Sequence, residues 1–442
     1  MKIKILLWSV ASILIIGLAA GAYWWLSRPQ VVTFSDDAKV TLLAVQYGKH
    51  HAPPTVKASA TVTNRPAARG RGTFTTTNDT LVLWMREQSD TSGNQYHGFQ
   101  YYVYDKAGAA CVQTYGRNYS GGRQGNGIVA VQLDAFPRRP GKFIVRVQEQ
   151  SNNGQEMSDQ KFVISNPARG PFMGWAAEPL PATQEDDDVA VTLTKLSLGA
   201  DMPYQRDQDD ADDAANKGVQ AVFQVQRNGK TVNNWQPVSV VTTDATGNSV
   251  NGNISGNQWQ DNADTVTYQY GLWPDEPAWK IKFEFSQQSD FADSELWTVQ
   301  NLPVVPGRQQ EMYNYRGNRR QAVTNAPVAE TDLNGFHLKL FAAKEFTDAG
   351  NNNWMQGGLF IEASPAVADG WRMTVNVTDA QTNDIQSSEY NTMRNNNISS
   401  YRFRLQDIAG LTNLNVSIAL HKSRFVEFTA KPEKAAAAAA AQ

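Results

Sequence analysis

Hydrophobic and polar residues alternate with a period of two along most of the chain after residue 30. Phe143, Val145 and Val147 form one such series, and Leu414 and Val416 open another. A period of two is typical of strands with one buried face, and the Gly, Asn and Asp residues between the series favour turns. Helical periodicity is almost absent here. The pattern therefore predicts an all-β fold of antiparallel sheets.

The N-terminus breaks this pattern. Residues 5–27 form a stretch of 23 uncharged residues, long enough as a helix to cross a hydrocarbon core of about 30 Å. Lys2 and Lys4 precede it and favour a cytoplasmic N-terminus. We expect one transmembrane helix within residues 1–30, which anchors the chain in the cell membrane and places its bulk in the periplasm or outside the cell. The alternative is a cleaved signal peptide, because residues 20–22 fit the small-x-small cleavage pattern.

The remaining chain contains three weak copies of one pattern. Residues 36–48 align without gaps on residues 187–199, and residues 332–340 form a looser third copy. In each copy a middle strand is followed by an Asp-containing turn, at Asp105, Asp244 and Asp379. These aspartates are interpreted as turn residues and not as catalytic groups.

An aromatic-Pro-x-x-Pro corner closes the first two copies. It reads Phe-Pro-Arg-Arg-Pro at residues 136–140 and Trp-Pro-Asp-Glu-Pro at residues 273–277, and an alternating strand follows each corner. The third copy lacks the corner. We expect residues 296–299 to be the last strand of the second copy and residues 425–428 the last strand of the third.

These copies predict three tandem domains between proline-rich linkers. Each has the length and about the seven strands of an immunoglobulin-like sandwich. The architecture resembles exported bacterial proteins that carry tandem immunoglobulin-like domains, and the resemblance implies a fold without implying functional residues. The predicted boundaries are 1–30 for the anchor or signal, 31–166, 183–302 and 329–430 for the sandwiches, 167–182 and 303–328 for the linkers, and 431–442 for an Ala-rich tail.

Composition narrows the function classes. The chain has 442 residues, a formal net charge of −3 and one cysteine, so an internal disulfide or a Cys-rich metal site is excluded. A chain that is not basic overall is not expected to bind nucleic acid. Residues 171–306 hold seven basic and 20 acidic residues, whereas residues 31–170 are basic on balance. This polarity favours self-association or a protein partner.

An acidic segment in the second predicted sandwich is a candidate calcium site. Calcium prefers six to eight oxygen ligands, which loops between strands can supply. A hydrated acidic loop is the alternative interpretation, and no other cofactor is expected. The candidate ligands are Asp207, Asp209, Asp210, Asp212 and Asp213.

Two tryptophans in amide-rich segments are candidate glycan-binding residues. Trp259 follows an Asn-Gln pair and Trp354 follows three asparagines. An exposed ring can stack on a sugar while amides bond its hydroxyls, but most tryptophans of a β-sandwich belong to its core.

Motifs for catalysis are missing from the sequence. It has neither the Gly-x-Ser-x-Gly elbow nor the His-Glu-x-x-His zinc motif. We therefore expect a non-enzymatic protein that acts in cell-envelope structure, adhesion or protein assembly. A glycan-binding surface module is the first alternative, and a hydrolase with a site built from loops of the second domain is the other.

Overall fold

The structure is a computed structural model that describes most of the chain after residue 29. The described residues are 30–34, 38–54, 73–88, 98–104, 110–113, 116–118, 126–133, 135–150, 156–168, 170–200, 218–260, 263–269, 272–307, 326–346, 356–395 and 397–434.

The described residues confirm the all-β prediction. They form mainly antiparallel sheets in a sandwich-like arrangement, with two short parallel pairings at residues 304–307 with 343–346 and at residues 197–198 with 433–434. They include a single-turn 3-10 helix at Asp293–Glu295 and no α-helix. None of their helices has the length and apolar character that a membrane crossing needs. The predicted span at residues 5–27 lies outside the described part of the chain.

The first unit consists of two antiparallel sheets. One has the order β1 (Gln30–Thr33), β2 (Lys39–His51), β3 (Phe74–Gln88), β7 (Asn126–Leu133) and β6 (Gly116–Asn118). The other has the order β5 (Ala110–Gln113), β4 (Gly98–Tyr104), β8 (Lys142–Gln150) and β9 (Glu156–Ser165).

The second unit is built on one long strand path that bends. Strand β15 (Ser249–Gln260) pairs with β14 (Trp235–Asp244) through residues 249–252 and with β16 (Ala263–Gln269) through residues 253–260, so it joins two layers. The path is β10 (Ala182–Asp186), β11 (Val189–Ala200), β12 (Gly218–Arg227), β16 (Ala263–Gln269), β15 (Ser249–Gln260), β14 (Trp235–Asp244), β17 (Trp279–Gln287) and β28 (Arg424–Ala430), with β13 (Lys230–Thr231) beside β12 and β29 (Glu433–Lys434) beside β11.

The third unit is joined in the same way by β18 (Leu296–Gly307), which pairs with β27 (Asn413–Lys422) within residues 296–303 and with β21 (Ala343–Phe346) through residues 304–307. The path is β19 (Ala329–Leu333), β20 (Phe336–Leu340), β22 (Gly357–Ser364), β21 (Ala343–Phe346), β18 (Leu296–Gly307), β27 (Asn413–Lys422), β23 (Trp371–Thr378) and β24 (Asp384–Ile385), with β26 (Ile398–Leu405) between β22 and β25 (Ser387–Asn395).

Two strands are paired differently from the sequence prediction. Strand β18, expected to close the second sandwich, pairs with β27 and β21 of the third unit. Strand β28, expected to close the third sandwich, pairs with β17 of the second unit over seven residue pairs. Strand β18 also continues through Pro303 and Pro306 into the predicted linker. The second and third units therefore exchange their last strands within one chain.

The hydrophobic cores follow this exchange. One continuous core includes residues of both the first and the second unit, and it contains Val426, Phe428 and Ala430 from β28. The third unit has its own core, which includes Leu302 of β18. Burial of apolar side chains thus links all three units, since neither exchanged strand can leave without exposing core residues of the unit that it completes.

Candidate functional site

The sequence-predicted site residues lie mostly outside the described part of the chain. This holds for Trp354 and for all five aspartates of the calcium candidate. Trp259 lies on β15 with its backbone paired to Asp264, and its side chain is not described. Among the described residues no group of three or more His, Cys, Asp or Glu side chains could hold a metal ion. The calcium and glycan sites therefore stay predictions.

Several buried or partly buried polar contacts lie where the units meet. The first joint, between the first and second units, is built on the loop at residues 244–248, which we call the joint loop. It begins at Asp244, where β14 ends, and Asp244 Oδ1 accepts hydrogen bonds from the backbone N–H of Thr246 at 2.9 Å and of Asn248 at 3.1 Å. Asn248 Nδ2 donates to Asp244 Oδ2 at 2.7 Å. These bonds fix the Asn248 amide in one orientation.

The first unit docks on the joint loop through its Phe-Pro-Arg-Arg-Pro corner. Asn248 Oδ1 accepts from the backbone N–H of Phe136 at 3.2 Å, and Asn248 Nδ2 donates to the Phe136 carbonyl at 3.0 Å. Arg138 Nη1 donates to the Thr246 carbonyl at 3.0 Å, and its guanidinium lies 5.1 Å from the centre of the Phe136 ring. A buried amide that binds both polar atoms of one residue gives the joint a fixed register.

The corner is held in shape from its own unit and from the second unit. Asn166 Nδ2 donates to three of its carbonyls, those of Pro137, Arg138 and Pro140, at 2.7–2.9 Å. Arg139 Nε lies 2.9 and 3.0 Å from the two carboxylate oxygens of Glu276, in the second corner. The Glu276 side chain is only 9% exposed and that of Arg139 is 33% exposed, so the carboxylate of this ion pair is shielded from solvent and the guanidinium is partly exposed.

The second joint lies between the second and third units, close to the crossing of the exchanged strands. Glu284 on β17 accepts from Arg372 on β23, with Nε–Oε1 at 2.7 Å and Nη2–Oε2 at 2.5 Å. Burial raises the pKa of Glu284, but the hydrogen bonds and the charge of Arg372 outweigh burial and lower that pKa below its ordinary value. The same pair raises the pKa of Arg372. Both groups are therefore charged at neutral pH.

A buried histidine packs beside this ion pair. His421 on β27 is 1% exposed, and its ring centre lies 4.8 Å from that of Phe291. Burial, together with the positive charges of Arg372 and Arg424, lowers the pKa of His421 from 6.5 to about 4. His421 is therefore neutral at physiological pH, and its protonation would bring a third positive charge into the joint.

The start of β28 is attached to the opening turn of the second unit. Arg424 Nη2 donates to Asp188 Oδ1 at 2.8 Å, and Arg227 Nε donates to Asp188 Oδ2 at 2.5 Å. Burial raises the pKa of Asp188, but the hydrogen bonds and charges of the two arginines outweigh burial and lower it. Both guanidiniums also lie over Trp235, at 5.6 and 6.0 Å from the ring centre. The exchanged strand thus enters the second unit through a charged cluster.

One further titratable group lies inside the first unit. Glu87 on β3 is 7% exposed and accepts a hydrogen bond from the Tyr101 hydroxyl at 2.8 Å. Burial raises the pKa of Glu87 to about 7, although the Tyr101 bond acts in the opposite direction. A carboxyl with such a pKa can change its charge near neutral pH. Because Glu87 is buried in the core, this change alters the free energy of unfolding.

Sequence reasoning identified the turn at Asp244 and the corner at residues 136–140, but it missed that they contact each other. It also missed the ion pairs of Glu276 and Glu284. The paired carboxylates and arginines of the joints lie far apart in sequence, by 137 residues for Arg139 and Glu276 and by 88 residues for Glu284 and Arg372. Only the repeated aromatic-Pro-x-x-Pro corner gave a sequence signal for the first joint, because two copies of one motif suggest a similar role for both.

The comparisons with known proteins assign no family. No protein-family model matches the chain, and no curated protein matches it. The two joints are therefore considered on their chemistry alone. Their charged groups and amides bond to one another across the boundaries between units, and this arrangement suits mechanical coupling.

Proposed function

We propose that the chain is an exported, membrane-tethered protein whose tandem immunoglobulin-like domains act in cell-envelope structure, adhesion or protein assembly, without chemistry of its own. The observation that carries this proposal is the coupling of the three units. A buried polar joint connects the first unit to the second, and exchanged strands connect the second unit to the third. Such coupling limits relative motion of the units, as a protein that transmits force or holds a fixed spacing requires.

The location rests on the N-terminal pattern. An uncharged stretch of 23 residues after two lysines supports a single-pass anchor with the sandwiches in the periplasm or outside the cell. Alkaline phosphatase fused after residue 442 tests this, because the enzyme is active only after export. Active, membrane-bound fusion supports the anchor, whereas active but released fusion supports a cleaved signal peptide. Inactive fusion in the cytosol would contradict the proposal.

Assembly rests on the uneven charge. With seven basic and 20 acidic residues, residues 171–306 can attract the basic first unit of a second copy. Sedimentation of the full chain in detergent at low and at high salt measures this. We expect association that grows with concentration and weakens with salt. A monomer at all concentrations and at low salt would exclude self-association and leave a different protein partner.

The two alternatives, a glycan-binding module and a hydrolase, each have a separate test. A glycan array with the full chain, repeated with Trp259→Ala and Trp354→Ala, would favour glycan binding if both substitutions abolished a signal without unfolding. Turnover lost on replacing a carboxylate of the second unit would favour a hydrolase. Neither alternative has support from a described contact.

A further inference from the structure

A loop of the third unit repeats the geometry of the joint loop. Residues 379–383, which we call the free loop, begin at Asp379, directly after β23, and the joint loop begins at Asp244, the last residue of β14. Asp379 Oδ1 accepts from the backbone N–H of Gln381 and of Asn383, both at 2.8 Å. Asn383 Nδ2 donates to Asp379 Oδ2 at 2.7 Å, the same distance that joins Asn248 to Asp244.

The backbones of the two loops close in the same way. Asp244 N–H donates to the Asn248 carbonyl at 3.1 Å, and Asp379 N–H donates to the Asn383 carbonyl at 3.0 Å. The fourth residue has a positive φ in both loops, +91° at Gly247 and +68° at Thr382. The two loops therefore present their asparagine side chains in the same manner.

Their surroundings differ. In the joint loop Asn248 is buried and its amide binds both backbone polar atoms of Phe136. In the free loop residues 380–383 are exposed, and Asn383 Oδ1 accepts no hydrogen bond from the described residues. The amide that holds a neighbouring unit in one loop thus faces solvent in the other.

We propose that the free loop is a docking site for an aromatic-Pro corner of another β-sandwich protein, and that the Asn383 amide binds the backbone N–H and carbonyl of the aromatic residue. An amide pre-oriented by Asp379 loses little conformational entropy on binding. Recognition of main-chain atoms fixes the register of the partner, while the aromatic ring supplies the buried apolar area.

Thr382 sets a limit on the partner. A Cβ added at Gly247 would lie 3.1 Å from Arg138 Nη1, and Thr382 carries a Cβ at the corresponding position of the free loop. An arginine placed as Arg138 is placed would therefore be crowded by Thr382. The favoured corner has an aromatic residue, a proline and then a small residue.

The partner is a different protein, because the chain's own corners are engaged. The corner at residues 136–140 lies at the first joint, and the carbonyl of Trp273 in the second corner accepts a hydrogen bond from Trp279 Nε1 at 3.2 Å. This inference rests on the proposed assembly function and names one of its contact sites.

Ligand-observed NMR by saturation transfer tests the inference with the full chain in detergent. The probe is an acetylated and amidated peptide with the sequence of residues 133–142, in which serine replaces Arg138. Because a short flexible peptide loses conformational entropy when it binds, we expect a Kd on the order of 1 mM. Saturation should reach the phenylalanine ring of the probe. Absence of saturation transfer at a probe concentration of about 1 mM, near the expected Kd, would overturn the proposal.

Two changes locate the contact. Asn383→Ala should weaken probe binding about tenfold, as expected when a two-bond amide contact is lost, whereas Asn413→Ala, at an exposed asparagine in the same unit, should leave it unchanged. A probe with a methylated phenylalanine nitrogen should also fail, and this arm leaves the protein unaltered. Equal binding of the methylated probe would overturn the proposal even if Asn383→Ala disturbed the loop.

Thr382→Gly tests the limit on the partner. It should allow a probe with the natural arginine to bind as well as the serine probe, whereas the unaltered chain should favour serine. Equal affinities of the unaltered chain for both probes would contradict the role of Thr382. These experiments measure binding at one loop only. They can therefore contradict the docking site while export and self-association are confirmed, and they can support the docking site while export or self-association is contradicted.

Discussion

Arg372 of the third unit donates two hydrogen bonds to one carboxylate, that of Glu284 in the second unit, at 2.7 and 2.5 Å. The Glu284 side chain is 9% exposed and that of Arg372 is 43% exposed. Loss of the ion pair would therefore affect the two groups unequally. Without its partner the carboxylate would remain shielded from water, whereas the guanidinium could be hydrated.

Arg372→Ala should accordingly destabilise the second joint. We expect a loss of about 2–4 kcal/mol in the free energy of local opening, because the buried carboxylate loses its main partner and keeps only the weaker support of Ser423 and Lys282. Hydrogen exchange of β17 and β23 in the full chain measures this. Lys280→Ala is the control, since Lys280 pairs with Glu427 at 3.2 Å in a pair that is 40–48% exposed. That control should cost less than about 1 kcal/mol, and equal costs would contradict the argument.

Acid should loosen the second joint through His421. Its pKa in the folded chain is about 4, below the ordinary 6.5, so its contribution to stability is present above pH 6.5 and is lost as pH falls towards 4. The loss should approach about 3 kcal/mol. His421→Phe should remove this dependence while keeping the ring beside Phe291. Hydrogen exchange of β27 at pH 7 and pH 5 tests it, and an unaltered slope in His421→Phe would disprove the role of His421.

Glu87 should give the stability of the first unit the opposite dependence on pH. Its folded pKa of about 7 lies above the ordinary 4.5, so its contribution is complete below pH 4.5 and is lost as pH rises through 7. The difference is on the order of 3 kcal/mol. Glu87→Gln keeps an acceptor for Tyr101 and should make the first unit equally stable at pH 5 and pH 8. Asp79→Asn, at an exposed position of the same unit, should change neither value; the readout is hydrogen exchange of β3 and β4.

The all-β fold and its turns could be predicted because they depend on local pattern. Alternation marks one buried face, and Asp followed by Gly or Asn marks a reversal, whichever sheet a strand joins. The turns at Asp244 and Asp379 are accordingly where the sequence places them.

The strand exchange could not be predicted for the same reason. Residues 296–299 and 425–428 have the pattern of closing strands, and that pattern is satisfied equally by the core of either neighbouring unit. The choice between the cores depends on shape and on contacts such as that of Arg424 with Asp188, which are 236 residues apart. The joints were missed because their partners meet only in the folded chain.

The first joint makes a further prediction at Gly247. Its φ of +91° disfavours a side chain, and a Cβ there would lie 3.1 Å from Arg138 Nη1. Gly247→Ala should therefore lower the free energy of unfolding by more than about 1–2 kcal/mol, which is the loss expected for a non-glycine residue in the left-handed region. The matched control is Gly335→Ala, with φ +82° and nothing within 4 Å of its Cβ. Urea unfolding of both variants measures the difference between their losses of stability. Equal losses would mean that the Arg138 side chain can move away from the added Cβ without destabilising the protein.

The exchanged strand gives the last prediction. Phe428 on β28 is fully buried, and its ring centre lies 6.3 Å from that of Phe223 on β12. Phe428→Ala should destabilise the second unit by about 3–5 kcal/mol, because it leaves a cavity among aromatic rings. Hydrogen exchange should then accelerate in β12 and β17, more than 130 residues before the substitution.

Phe341→Ala is the control for this experiment. Phe341 is 7% exposed and packs against Phe360 within the third unit, at 5.3 Å between ring centres. It should accelerate exchange in β20 and β22 and leave β12 unchanged. If Phe428→Ala instead affected only β27 and β28, the last strand would not stabilise the second unit, and the coupling on which the proposed function depends would be lost.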